Sequence, residues 1–141
     1  MRKNNLVALV SRLSETANRF IIKELESHGI DGIVPSHGDI LAMLFGLERC
    51  TMQEIATKIH RTKPTVTVLV NKLAELGYVR KEKSDTDSRV TYITLTDKGR
   101  DLKPHFEAIS AKLNAVVYKD MNDEEAEAIE TIIGKIRANF E

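Results

Sequence analysis

Residues 51–99 constrain the fold more tightly than any other part of this chain. Thr51-Met-Gln-Glu54 places a hydroxyl cap three residues before a glutamate, the reciprocal arrangement that opens a helix. Ile55, Ala56 and Ile59 give that helix a buried side. A second helix is expected from Thr62 to Gly77, with Val66, Leu69, Val70, Leu73 and Leu76 on one face. Pro64 fits its first turn, where the missing N–H has no intrahelical partner in any case. After Gly77 the period changes. Tyr78–Lys83 and Arg89–Leu95 read as short extended runs, joined by the turn formers Ser84-Asp-Thr-Asp-Ser88 into a hairpin. Helix, short turn, helix and hairpin, in that order, describe a winged helix-turn-helix, a device for reading duplex DNA.

The flanks are helical by periodicity. Leu6, Leu9, Val10, Leu13, Ala17, Phe20, Ile21 and Leu25 recur at three- and four-residue steps, which predicts a helix over roughly 5–27 ended by His28-Gly29. Asp31-Gly32 is a turn signal, and Ser36 is the expected cap of a helix carrying Ile40, Leu41, Leu44 and Phe45. Thr96 should cap one continuous fifth helix with Leu102, Phe106, Ile109, Leu113, Val116 and Val117. Asn122 or Asp123 should cap a sixth, with Ala126, Ile129, Ile133, Ile136 and Phe140. The first, fifth and sixth helices carry more apolar positions than a small core needs, so they are expected to pack on the same helices of a second copy in a two-fold homodimer. The expected fold class is mostly α with a small β wing. Segments 1–33 and 100–141 form the helical dimerisation region, and 34–99 the winged helix-turn-helix.

Charge places the DNA face. The net charge is +0 over 141 residues, but its distribution is uneven. Between Lys58 and Arg89 eight Lys/Arg (58, 61, 63, 72, 80, 81, 83, 89) stand against four acids (75, 82, 85, 87). From Asp120 to Glu141 seven acids (120, 123, 124, 125, 127, 130, 141) stand against two bases (135, 137). The basic footprint therefore falls on the reading segment. Only 5% of residues are aromatic and there is no Trp, which argues against base-stacking platforms for single strands. The single Cys50 excludes an intramolecular disulfide and fits a reducing compartment. The apolar run Leu6–Val10 is too short for a signal sequence or a membrane span, so a cytoplasmic protein without membrane contact is expected.

At about 100° per residue, the arc opposite Val66 holds Arg61, Pro64, Thr65, Thr67, Val68, Asn71, Lys72 and Glu75. An α-helix fits the major groove, where base edges show distinct donors and acceptors. Thr65, Thr67 and Asn71 can donate and accept, Val68 can touch a thymine methyl, and Lys63 and Lys72 suit phosphates. The free N–H groups near Thr62 also favour phosphate. On the hairpin tip, Arg89 can enter a narrow minor groove, with Asp87 two residues away to hold its guanidinium. Lys81 and Lys83 would add attraction to the backbone.

The chain resembles the MarR family of bacterial transcription regulators. The similarity is carried by the Thr51–Ile59 helix, by Lys63-Pro-Thr-Val-Thr67 and by Leu73-x-x-x-Gly77-Tyr-Val-x-Lys81. Most specific is the wing Asp85-x-Asp87-x-Arg89 followed by Leu95-Thr-x-x-Gly99. The resemblance implies a homodimer on a pseudo-palindromic double-stranded DNA operator, usually a repressor, relieved by a small ligand, an oxidant or occasionally a metal. It maps DNA contacts onto Arg61, Thr62, Lys63, Thr65, Thr67, Asn71, Lys72 and Arg89.

Other readings rest on less. Some members of the resembling family sense peroxides through a cysteine near the start of the first helix, which has none here, so Cys50 reads as a packed thiol. Zinc-sensing members use His and acidic groups, and His37, His105, Glu24 and Glu107 could approach the corresponding region. However, the family's His pair one helical turn apart is broken by Ile109, and no closely spaced zinc motif exists. His37 and His105 are instead read either as ordinary structural histidines or as polar groups lining an organic-ligand pocket, with no metal and no cofactor. No nucleophile–base motif or Gly-rich phosphate loop suggests an enzyme, and no catalytic residue is assigned. A winged helix serving only protein contacts is the alternative from a different class, and the basic exposed face speaks against it.

Overall fold

A computed structural model describes residues 4–141, so the first three residues of the expected 1–33 segment lie outside the described residues. The chain forms two compact units, one up to Ile109 and one comprising Ser110–Glu141.

Helix α1, Leu6–Ser27, opens the first unit. It ends where the sequence places its stop. Gly29 adopts a φ of +77°, its N–H reaches the Glu26 carbonyl at 2.9 Å, and the Ile30 N–H reaches Leu25 at 2.8 Å. Those paired bonds satisfy the last carbonyls, and Leu25 and Ile30 are both buried beside them. Helix α2, Pro35–Phe45, starts differently from expectation. Val34 is the N-cap, Pro35 occupies the first turn, and Ser36 lies inside the helix. The Val34 N–H donates to His37 Nδ1 at 2.9 Å, so an imidazole takes the part that a glutamate plays in a reciprocal cap.

A two-residue strand, β1 (Cys50–Thr51), follows. Helix α3, Met52–Ile59, has the expected reciprocal cap: the Glu54 N–H donates to Thr51 Oγ1, and the Thr51 N–H to Glu54 Oε1, both at 3.1 Å. His60 turns the chain in the left-handed conformation (φ +57°), and Thr62 caps α4, Lys63–Glu75. Gly77, with φ +85°, repeats the helix stop seen after α1: its N–H bonds Ala74, and the Tyr78 N–H bonds Leu73.

Strands β2 (Val79–Lys83) and β3 (Thr91–Leu95) form the wing. The sheet is antiparallel in the order β1-β3-β2, with Cys50 opposite Ile93 and Lys81 opposite the same residue on the other edge. The core lies beneath this sheet and between the helices. Ile40, Leu41, Ile55, Val66, Val70, Leu73, Cys50 and Ile93 are fully enclosed, each large aliphatic among them contributing about 1.5–3 kcal/mol.

The expected single fifth helix is two. Thr96 caps a one-turn helix α5 (Asp97–Arg100), and α6 begins again at Lys103 and runs to Val117. Pro104 gives the reason. Without an N–H it cannot donate back to the Arg100 carbonyl, so it interrupts the ladder there and belongs in the first turn of a new helix. The second unit contains the rest of α6 and helix α7, Asp123–Ala138, capped by Asn122, which accepts from the Glu125 N–H at 2.8 Å. The Tyr118 hydroxyl donates to Glu130 within this unit. No residue of α7 is fully buried, and Ile129, Ile132, Ile133 and Phe140 are exposed. The fold is mostly α with a small three-stranded antiparallel sheet, as the residue pattern implied.

Candidate nucleic-acid interface

The buried face of α4 consists of Val66, Val70 and Leu73. Pro64, Thr65, Val68, Asn71, Lys72 and Glu75 are exposed on the opposite side, with Val68 at 69%. This division follows from spacing alone: residues three and four apart share a face. Thr67 is only half-exposed, and its hydroxyl donates to the Lys63 carbonyl at 3.0 Å. It therefore offers a nucleic acid acceptor capacity more than donor capacity.

The first turn of α4 is built from hydroxyls. Thr62 Oγ1 accepts the Thr65 N–H at 3.4 Å and donates to Thr65 Oγ1 at 3.0 Å. Arg61, just before the cap, donates from Nη2 to Ser36 Oγ at 3.2 Å, which ties the start of α4 to α2. That gives Ser36 a role that the cap assignment missed.

At the wing tip the expected Asp87–Arg89 pairing is present and bidentate. Arg89 Nε donates to Asp87 Oδ1 at 3.1 Å and Nη2 to Oδ2 at 3.2 Å, while the Arg89 backbone N–H also reaches Oδ1 at 3.0 Å. These bonds hold the Asp87 carboxyl below the usual carboxylate range. Ser84 closes the turn, its hydroxyl oxygen accepting from the Thr86 and Asp87 N–H groups. The Arg89 side chain is 89% exposed, so it is oriented without being covered. A cleft of about 250 Å³ lined by Thr51, Met52, Gln53, Lys63, Arg89, Val90 and Thr91 brings Lys63 and Arg89 to one place. Gln53 in that cleft was not singled out by sequence.

Across the wing, Lys81 Nζ donates to Asn71 Oδ1 at 2.5 Å. Sequence reading placed both residues but not their contact, which joins β2 to α4. On β3, Tyr92 lies under the Arg49 guanidinium, 3.9 Å from the ring centroid.

The two histidines considered for a ligand pocket are engaged separately. His37 is buried with Nδ1 accepting from Val34, and burial, helped by Lys72, pushes its pKa below the ordinary imidazole value. His105 Nδ1 lies 2.8 Å from His28 Nδ1, with the rings perpendicular. Cys50 is fully buried in β1, and burial raises its thiol pKa, with Glu54 adding to the effect. A protonated, enclosed thiol is a poor nucleophile. No helix among the described residues is long and apolar enough to cross a membrane.

This arrangement has relatives. Residues 28–90 match the MarR family. The HTH-type transcriptional regulator MhqR of Bacillus subtilis (strain 168) is 25% identical over 138 residues, covering 95% of this chain and 90% of that protein. The S. aureus MepR–DNA complex superposes with a TM-score of 0.86 at 23% identity, covering 94% of this chain and 96% of that one. Reduced AbfR bound to DNA gives 0.77 at 27% identity, covering 98% and 95%. The matched segment contains the capped α3, helix α4 and the wing up to Arg89, and over it the chain is similar to the MarR family, with relatives named as HTH-type transcriptional regulators.

Proposed function

We propose that this chain is a sequence-specific double-stranded DNA-binding regulator that acts as a homodimeric repressor on a pseudo-palindromic operator and is released by a small-molecule ligand. One observation carries the reading. An exposed polar face on α4 and a bidentate-held Arg89 on the wing belong to one compact unit, with Lys63 and Arg89 lining one cleft. A helix and a pre-oriented arginine so placed suit a major groove and an adjacent minor groove. That MepR and AbfR were solved on DNA supports a duplex ligand here.

The homodimer is supported by apolar side chains left in solvent: Leu6, Val7, Leu9, Val10 and Leu13 on α1, and Ile129, Ile132, Ile133 and Phe140 at the other end. We assign the helical dimerisation role to the terminal segments. A ligand releases the operator only if it binds the two spacings of the paired reading helices with different affinity. His37 and His105 are the polar contacts proposed for that ligand.

Arg89→Ala tests the reading. It should weaken duplex binding about tenfold or more while the mass of the protein in solution is unchanged. Arg89→Lys should not restore affinity, because an ammonium cannot make two parallel bonds to Asp87. Unchanged affinity in the alanine variant would contradict the role of the wing.

A further inference from the structure

We infer that Lys81, on the wing, sets the base preference of the reading helix by fixing which end of the Asn71 carboxamide faces DNA; this rests on the duplex-reading function proposed above. Asn71 lies on the exposed face of α4, in line with Val68 and one turn beyond it. Its oxygen accepts from Lys81 Nζ at 2.5 Å. The orientation of an asparagine amide is often ambiguous, since oxygen and nitrogen are nearly alike in shape. Here chemistry decides it. An ammonium has three donors and no acceptor, so only the amide oxygen can face it.

The consequence is a one-sided reader. A free asparagine pairs best with adenine, donating to N7 while accepting from the N6 amino group. That pattern needs both ends of the amide. The Lys81 bond takes one of the two lone pairs on Oδ1 and turns the oxygen toward the wing, so the end of Asn71 left to face a base is its NH2. Its hydrogens match an edge that presents acceptors alone, which in the major groove is guanine, with N7 and O6. An adenine opposite Asn71 would leave its amino group without the asparagine acceptor. Lys81 is thus a specificity-determining residue that acts through Asn71. Its place on β2 explains how: Lys81 pairs with Ile93 in the sheet register, so the wing backbone fixes where its side chain starts.

The test is to select duplexes from a random-sequence library with the full-length chain and with Lys81→Met, Lys81→Arg and Asn71→Ala. Lys81 and Asn71 are both on the surface, so circular dichroism should be unchanged in the three variants. The native chain should select guanine at one position per half-site. Lys81→Met should shift that position toward adenine by about tenfold or more in relative preference. Lys81→Arg, still a pure donor, should retain guanine, and Asn71→Ala should lose preference at that position alone. A Lys81→Met motif identical to the native one, with only weaker binding, would overturn the assignment and reduce Lys81 to a phosphate contact. Loss of preference at other positions in Asn71→Ala would also overturn it. If the native chain selects no sequence at all, the duplex-reading function falls, and this assignment with it.

Discussion

A methyl group added at Gly99 would stand 2.1 Å from the Tyr78 carbonyl oxygen. Space, not backbone conformation, holds glycine there. The same clasp has Thr96 Oγ1 donating to the Gly77 carbonyl at 2.6 Å while accepting the Gly99 N–H at 3.1 Å. The Leu95-Thr-x-x-Gly99 signature is therefore the joint between the wing and the end of α4. Gly99→Ala should destabilise the fold by about 1–3 kcal/mol, the usual cost of overpacking, read as a lower denaturation midpoint. An unchanged midpoint would contradict the contact. His37 makes a second residue-scale case. Its Nδ1 accepts the Val34 N–H, which only the neutral ring can do, and its pKa is lowered in the fold. Below the ordinary imidazole value of 6.5 the unfolded chain takes up the proton first. Stability should thus be complete above that value, fall as pH drops through it, and level off below the lowered folded value. His37→Gln keeps an acceptor without the titration, so its denaturation midpoint should change less between pH 8 and pH 5. An equal change in both proteins would assign the pH dependence elsewhere. Neither role was legible from sequence, because a cap made by imidazole and a close backbone approach both depend on what tertiary structure brings near.

At the scale of elements, local signals were reliable where the stabilising partner is itself local. Thr51 and Glu54 are three residues apart, and their reciprocal bonds form as read. Thr51→Ala should cost about 1 kcal/mol in chemical denaturation. A loss within error of zero would show that β1 pairing, not the cap, fixes the start of α3. The helix stops at Gly29 and Gly77 were legible for the same reason. Strand β1 was not. Two residues show no periodicity, and Cys50–Thr51 become a strand only by pairing with Ile93 and Tyr92, some forty positions onward. The break between α5 and α6 was available in Pro104 but was overridden by the long apolar period around it. In the candidate site, the residue types on α4 and the Asp87–Arg89 spacing were visible. The Asn71–Lys81 and Arg61–Ser36 contacts were not, because each joins two elements.

For the whole molecule, the core and the reading face lie in the unit up to Ile109, while apolar surface remains open on α1 and on α7. Large exposed apolar surfaces on a folded chain mark interfaces, and a closed two-fold pairing covers identical faces at once. In the proposed dimer two copies of α4 and two wings would meet one duplex, which would turn a single weak reader into a symmetric one. The most direct measurement is a hydroxyl-radical footprint of the full-length protein on genomic fragments that it captures. A two-fold reader should protect two symmetric patches whose centres lie about one helical turn apart, with added minor-groove protection where Arg89 enters. A single unrepeated patch, or no protection at any captured fragment, would contradict it.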